Sequence, residues 1–228
     1  MQLKKLSNKM TKFTKKIVEN SENFLIKKFI TQFKRKIKNK GTERFSFVLT
    51  GGNSPIKLYK NLAKEKNIPW KNIDFFFGDE RCVNKNSKYS NINMCKKNLL
   101  KKIPILNSQI YEINIKNTKP KKIAGEYEKK IKKYFNGKKI SFDLTLLGVG
   151  NDGHIASLFK NNINKINKKN VDFVIREDFK RVTLTIKCIN NSKNIFLWAP
   201  GRNKKKIIKN IIKDKKFSYP ASYLKSKN

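Results

Sequence analysis

His154 is the sole histidine in 228 residues, and it stands two positions after Asp152 inside LLGVGNDGHIASLF (146–159). A carboxylate that close can fix the tautomer of an imidazole and hold it as a general base. Gly148, Gly150 and Gly153 make the surrounding segment a turn that offers several backbone N–H donors. A lone histidine is more often structural than catalytic. Its place in a glycine-rich loop after a buried apolar run favours the catalytic reading.

Three further segments could do chemistry. In LTGGNSP (49–55), Gly51 and Gly52 separate an apolar run from a helix start, so backbone N–H groups can approach an anion that the helix dipole also attracts. The alternative is an ordinary strand-to-helix turn. In FFFGDERCV (75–83), Asp79, Glu80 and Arg81 follow directly on residues that should be buried. Taken alone this reads as a charged surface turn. Against that, the chain has only six arginines among 55 basic residues, and only Arg offers a planar fork for a phosphate or carboxylate. In WAPGRNKKK (198–206), Lys204 could reach a phosphate from the start of a basic helix, although a solvated helix face would look the same.

These segments need a frame to bring them together. FSFVLT (45–50), IDFFF (73–77), FDLTLLGVG (142–150) and IFLWAP (195–200) read as short, nearly all-apolar strands, with further strands at 110–115, 171–175 and 181–186. Between them, helical patterns run over about 10–38, 54–65, 90–101, 119–135 and 203–212, with Ser54 as an N-cap and Pro55 in the first turn of the second. Apolar strands alternating with amphipathic helices imply an α/β fold with a mainly parallel central sheet and helices on both faces. In such a sheet ligands bind beyond the carboxyl ends of the strands, where three of the four segments lie. No repeat or Pro/Gly/Ser-rich linker divides the sequence, so residues 1–228 are expected to form one domain.

The net charge of +39 suggests a nucleic-acid partner at first sight. Yet the lysines are spread along the chain, arginine is scarce, and Asn and Ile are inflated with Lys as in AT-rich coding drift. The expectation is therefore no nucleic-acid partner, with a positive field that draws in a small anion. No apolar run is long enough to cross a membrane. Cys82, Cys95 and Cys188 are scattered and odd in number, which fits a reducing cytoplasm rather than a disulfide framework. No cluster has metal-ligand spacing, and neither a metal nor another cofactor is expected. A monomer or small homo-oligomer is expected.

Taken in order, these segments resemble 6-phosphogluconolactonases, which belong to a wider glucosamine-6-phosphate isomerase group. TGGNSP (50–55) matches, as do W-x-x-I-D-F-F-F-G-D-E-R-x-V (70–83), Ser90-Asn91, FDLTLLGVGNDGHIASLF (142–159), RVTLT (181–185), PGRNK (200–204) and YPAS (219–222). Arg81 and Ser157-Leu158-Phe159 resemble the lactonase pattern rather than that of the glucosamine- and galactosamine-6-phosphate deaminases, which remain the alternative, with a basic nucleic-acid-binding protein behind them. Asn53 and Lys160-Asn161 depart from the residues usual there. The resemblance implies a Rossmann-like fold and hydrolysis of 6-phospho-D-glucono-1,5-lactone in the oxidative pentose phosphate pathway. It implies catalytic roles for His154, Asp152, Arg81 and Asp79, with Arg81 on the oxyanion or the phosphate. It further implies substrate binding by Gly51, Gly52, Asn53, Ser54, Arg181 and Lys204, the last two as phosphate clamps.

Overall fold

The computed structural model describes residues 21–116, 119–164 and 169–225. The part of the first helical pattern before residue 21, with Phe13 and Ile17, lies outside them. Four parallel strands form the central sheet in the order β2-β1-β4-β7, with β1 at Phe45–Leu49, β2 at Ile73–Phe77, β4 at Leu144–Gly148 and β7 at Ile195–Trp198. β1 and β2 are buried along their whole length, which is why they read as unbroken apolar runs rather than alternating ones.

The pleat sends successive side chains to opposite faces. On one face Phe47 and Phe75 pack with Trp70 and with Phe33 of α1 (Glu22–Lys38). On the other, Phe76 packs with Tyr134 of α4 (Pro120–Tyr134) and with Phe142, and the Tyr127 hydroxyl of α4 donates to the Phe77 carbonyl at 3.1 Å. Helices thus cover both faces, as the sequence implies. The remaining helices are α2 (Ile56–Leu62), α3 (Asn91–Asn98), α5 (Ile186–Asn190) and α6 (Lys205–Lys213). None of the described helices is long and apolar enough to cross a membrane.

Several details differ from the sequence expectation. Asp79–Arg81 is a strand, β3, rather than a surface turn. It pairs antiparallel with β6 (Lys180–Leu184), which in turn pairs with β5 (Val171–Ile175), giving a second, antiparallel sheet. Residues 110–115 form no strand, only a single bridge between Phe75 and Ile110. α2 begins at Ile56 with Pro55 in the cap position, and Ser54 makes no side-chain cap. Ser90 does cap α3, accepting from Asn93 N at 3.0 Å.

Candidate active site

The carboxyl ends of β1, β2 and β4 lie side by side, and direct hydrogen bonds tie the segments that leave them. Asp79 follows β2. Its carboxylate accepts from the Ser157 hydroxyl at 2.6 Å, which links it to the loop after β4, and from Asn91 Nδ2 at 3.2 Å. The same Asn91 accepts from Gly52 N at 3.3 Å, which brings in the glycine loop after β1. A Cβ on Gly51 would come within 2.0 Å of the Asn91 side chain, so that position admits only glycine while Asn91 sits there. Lys204, beyond β7, donates to the Val149 carbonyl at 2.9 Å and to Asn151 Oδ1 at 2.7 Å. Trp198 Nε1 donates to the Ser54 carbonyl at 3.0 Å. Asn53 and Ser54 line an open groove with Lys57, Lys60, Pro200 and Gly201.

The histidine loop is held in an unusual shape. His154 Nδ1 lies 2.6 Å from Asp152 Oδ1, and the same oxygen accepts from the His154 amide at 3.2 Å. With Nδ1–H donated to the carboxylate, the lone pair of Nε2 is left for chemistry. Desolvation raises the Asp152 carboxyl, but the His154 amide and ring outweigh it and hold it below the usual carboxylate range. Gly150 is indispensable: a Cβ there would lie 2.1 Å from His154 Nδ1. Ala156 takes a left-handed φ of +47°, a strained choice for a residue with a Cβ, and Ser157 N donates to Thr183 Oγ1 at 3.2 Å beside it. The chain's later residues clamp the loop from outside. Tyr219 packs on Gly153, and Ala221 N donates to the Gly153 carbonyl at 3.0 Å.

Burial pushes the Asp79 carboxyl up, opposed by the Ser157 hydroxyl and by the positive fields of His154, Arg81 and Arg181. The fields of these three residues, which come from three separate segments, thus bear on one half-buried carboxylate. Arg81 lies 5.1 Å over the Phe179 ring and donates through Nη1 to the Tyr89 carbonyl at 3.2 Å. Arg181, its cross-strand neighbour, is a different case from the sequence expectation. Its guanidinium is buried and doubly paired with Asp178, at 2.8 and 2.5 Å, and also donates to the Phe179 carbonyl at 3.0 Å. That fork is already filled from within, which does not fit the open phosphate clamp expected of it.

Sequence reasoning assigned no site role to Glu80, Asn91 or Ser157. Glu80 is fully buried and accepts from Ser90 Oγ and from the amides of Arg81, Asn91 and Ile92, at 2.7–2.8 Å. It therefore anchors the start of α3, and with it Asn91. The Ser90-Asn91 pair was visible in the sequence, but only the fold gives it a purpose. Among the described residues no group of three or more His, Cys, Asp or Glu side chains is placed to hold a metal ion.

A sequence profile described as glucosamine-6-phosphate isomerases/6-phosphogluconolactonase matches residues 19–228. A 6-phosphogluconolactonase from Thermotoga maritima is 30% identical over 209 residues, covering 90% of this chain and 90% of that protein. The crystal structure of 6-phosphogluconolactonase from the same organism superposes with a TM-score of 0.79 at 28% identity, covering 92% of this chain and 93% of that one. The enzyme from Trypanosoma cruzi gives a TM-score of 0.82 at 29% identity, covering 95% and 91%. The order of the motifs, the parallel sheet that gathers them and a match over nearly the whole length agree: the chain belongs to the glucosamine-6-phosphate isomerase/6-phosphogluconolactonase family.

Proposed function

We propose that this protein is a hydrolase that opens 6-phospho-D-glucono-1,5-lactone to 6-phospho-D-gluconate. The observation that carries the reading is the 2.6 Å contact between His154 Nδ1 and Asp152 Oδ1, in a loop that Ser157 ties to Asp79. The relatives reported above bear the lactonase name. The Arg81 and Ser157-Leu158-Phe159 pattern favours that branch over the amino-sugar deaminases.

In this mechanism His154 Nε2 takes a proton from water as the water oxygen attacks the lactone carbonyl carbon. The charge that develops on the carbonyl oxygen is met by Arg81 and by backbone amides of the glycine loops. The tetrahedral intermediate then collapses, the bond from that carbon to the ring oxygen breaks, and the imidazolium returns its proton to the ring oxygen. The carboxylic acid so formed ionises and releases one proton to solvent. Asp152, held as a carboxylate, stabilises the transient imidazolium. Asp79 orients the cleft through Ser157 and Asn91, and Gly51, Gly52, Asn53 and Ser54 line the substrate side with Lys204. A single domain is supported by the one apolar core to which strands of both sheets contribute among the described residues.

The test is a coupled assay at low salt. Freshly made lactone is supplied with an excess of a dehydrogenase specific for 6-phosphogluconate, and the rate is compared with spontaneous hydrolysis. Acceleration supports the reading. Ammonia release from an amino-sugar phosphate, without lactone turnover, overturns it in favour of a deaminase.

A further inference from the structure

Arg176 stands at the tip of the β5–β6 hairpin, where its amide donates to the Phe179 carbonyl at 3.3 Å. Its guanidinium carbon lies 4.1 Å over the ring of Phe159, within cation–π range. That ring is the one that packs against His154, with centroids 4.7 Å apart. Arg176 is therefore one aromatic ring away from the proposed base.

Three other cations near the cleft are already engaged. Arg181 spends both terminal nitrogens on Asp178 and a carbonyl, Lys204 is bonded to Val149 and Asn151, and Arg81 holds Tyr89. Arg176 has only Nε near a partner, 3.5 Å from Asp178 Oδ1, and its two terminal nitrogens donate to no described residue. Its side chain is 40% exposed, against 7% for Arg181. Asp178 thus divides the pair: it locks Arg181 in place as a strut and leaves the fork of Arg176 open.

We propose that Arg176 is a specificity-determining residue that grips the phosphate of the sugar lactone, taking the role in the clamp that the sequence assigned to Arg181. The inference rests on the lactonase reading above. A planar fork matches phosphate with two charge-assisted hydrogen bonds, and stacking on Phe159 fixes its plane before the ligand arrives. Phe159 also sets the distance. Both groups contact the same ring, the guanidinium carbon at 4.1 Å from its centroid and the imidazole at 4.7 Å, so the ring separates a phosphate grip from the base by about its own size.

The experiment compares wild type with Arg176→Met, which keeps the packing on Phe159 and removes the charge. Both are assayed on 6-phosphogluconolactone and on unphosphorylated glucono-1,5-lactone, and both are titrated with 6-phosphogluconate by calorimetry. The expected result is a KM for the phosphorylated lactone raised roughly 10- to 100-fold, with kcat within about threefold, as for loss of a charge-assisted contact. Turnover of the unphosphorylated lactone stays unchanged, and the Kd for 6-phosphogluconate rises in parallel with KM. An equal loss on both lactones, or an unchanged KM and Kd, overturns the proposal. The calorimetric arm reads the phosphate grip without turnover, so a wild type inactive on the lactone counts against the lactonase reading and not against the grip.

Discussion

The Ser157 hydroxyl donates to the Asp79 carboxylate at 2.6 Å across 78 positions of sequence. This contact joins the histidine loop to the end of β2, and it bears on charge as well as position. Asp79 is half-buried, and the loss of hydration raises its carboxyl. Such a group takes up a proton more readily folded than unfolded, so it costs stability as pH rises through the unfolded and then the folded pKa. The Ser157 hydroxyl reduces that cost. Ser157→Ala should lower stability by about 1–2 kcal/mol at neutral pH. Thermal melts should show a smaller loss at pH values low enough to protonate Asp79 in both states.

His154→Ala should reduce kcat by roughly 10²–10⁴-fold, the usual worth of a positioned general base. Circular dichroism and melting temperature should stay close to wild type, since the imidazole is partly exposed. Near-normal turnover in this variant would remove His154 from the mechanism.

Asp152 should matter through His154. Asp152→Asn keeps the shape but loses the charge that steadies the imidazolium, and should lower kcat about 10²-fold, less than in a fully buried triad. The pH sign is fixed by the depressed carboxyl. Its stabilising contribution is present above the ordinary carboxylate range and is lost as pH falls through the lowered folded value. A pH–rate profile of the wild type should therefore show no fall due to Asp152 until pH drops below the usual carboxylate range.

Gly150→Ala forces a methyl to within 2.1 Å of His154 Nδ1, so the ring must move. Displacement on this scale should cost about 10²-fold in kcat while most of the stability survives. Single-turnover kinetics alongside a melt will separate the two effects.

Asp178→Asn should act on stability. The Arg181 guanidinium is buried, and loss of its carboxylate leaves it with one carbonyl. Because Asp178 is itself half-exposed, the loss should be roughly 1–2 kcal/mol, below that of a fully buried pair. Urea titration will measure it. A neutral outcome would mean that water replaces the pair at no cost.

Much of this molecule was legible in its sequence. β1, β2 and β4 announced themselves as apolar runs because both faces of each are covered, and the helical pattern from residue 90 marked α3. β3 was not legible. Three consecutive charged residues become a strand only because β6, about a hundred residues later, supplies partners for them. The reverse error, at 110–115, has the same source: β-prone residues form no strand when only Ile110 finds a ladder partner. Asp152 and His154 are neighbours in sequence, and local reasoning foresaw the contact between them. Arg176 and Arg181 differ in burial and in how Asp178 divides itself between them, and no spacing rule encodes either.

The clamp of Tyr219 and Ala221 on Gly153 has a consequence for how the protein comes into being. A ribosome has delivered His154 and Asp152 some sixty-five residues before it delivers the segment that seats them. Through that interval the nascent polypeptide carries its imidazole in an unclamped loop. On the proposed mechanism competence arrives late, and a polypeptide halted before Tyr219 would hold every side chain assigned to catalysis and still be a poor enzyme.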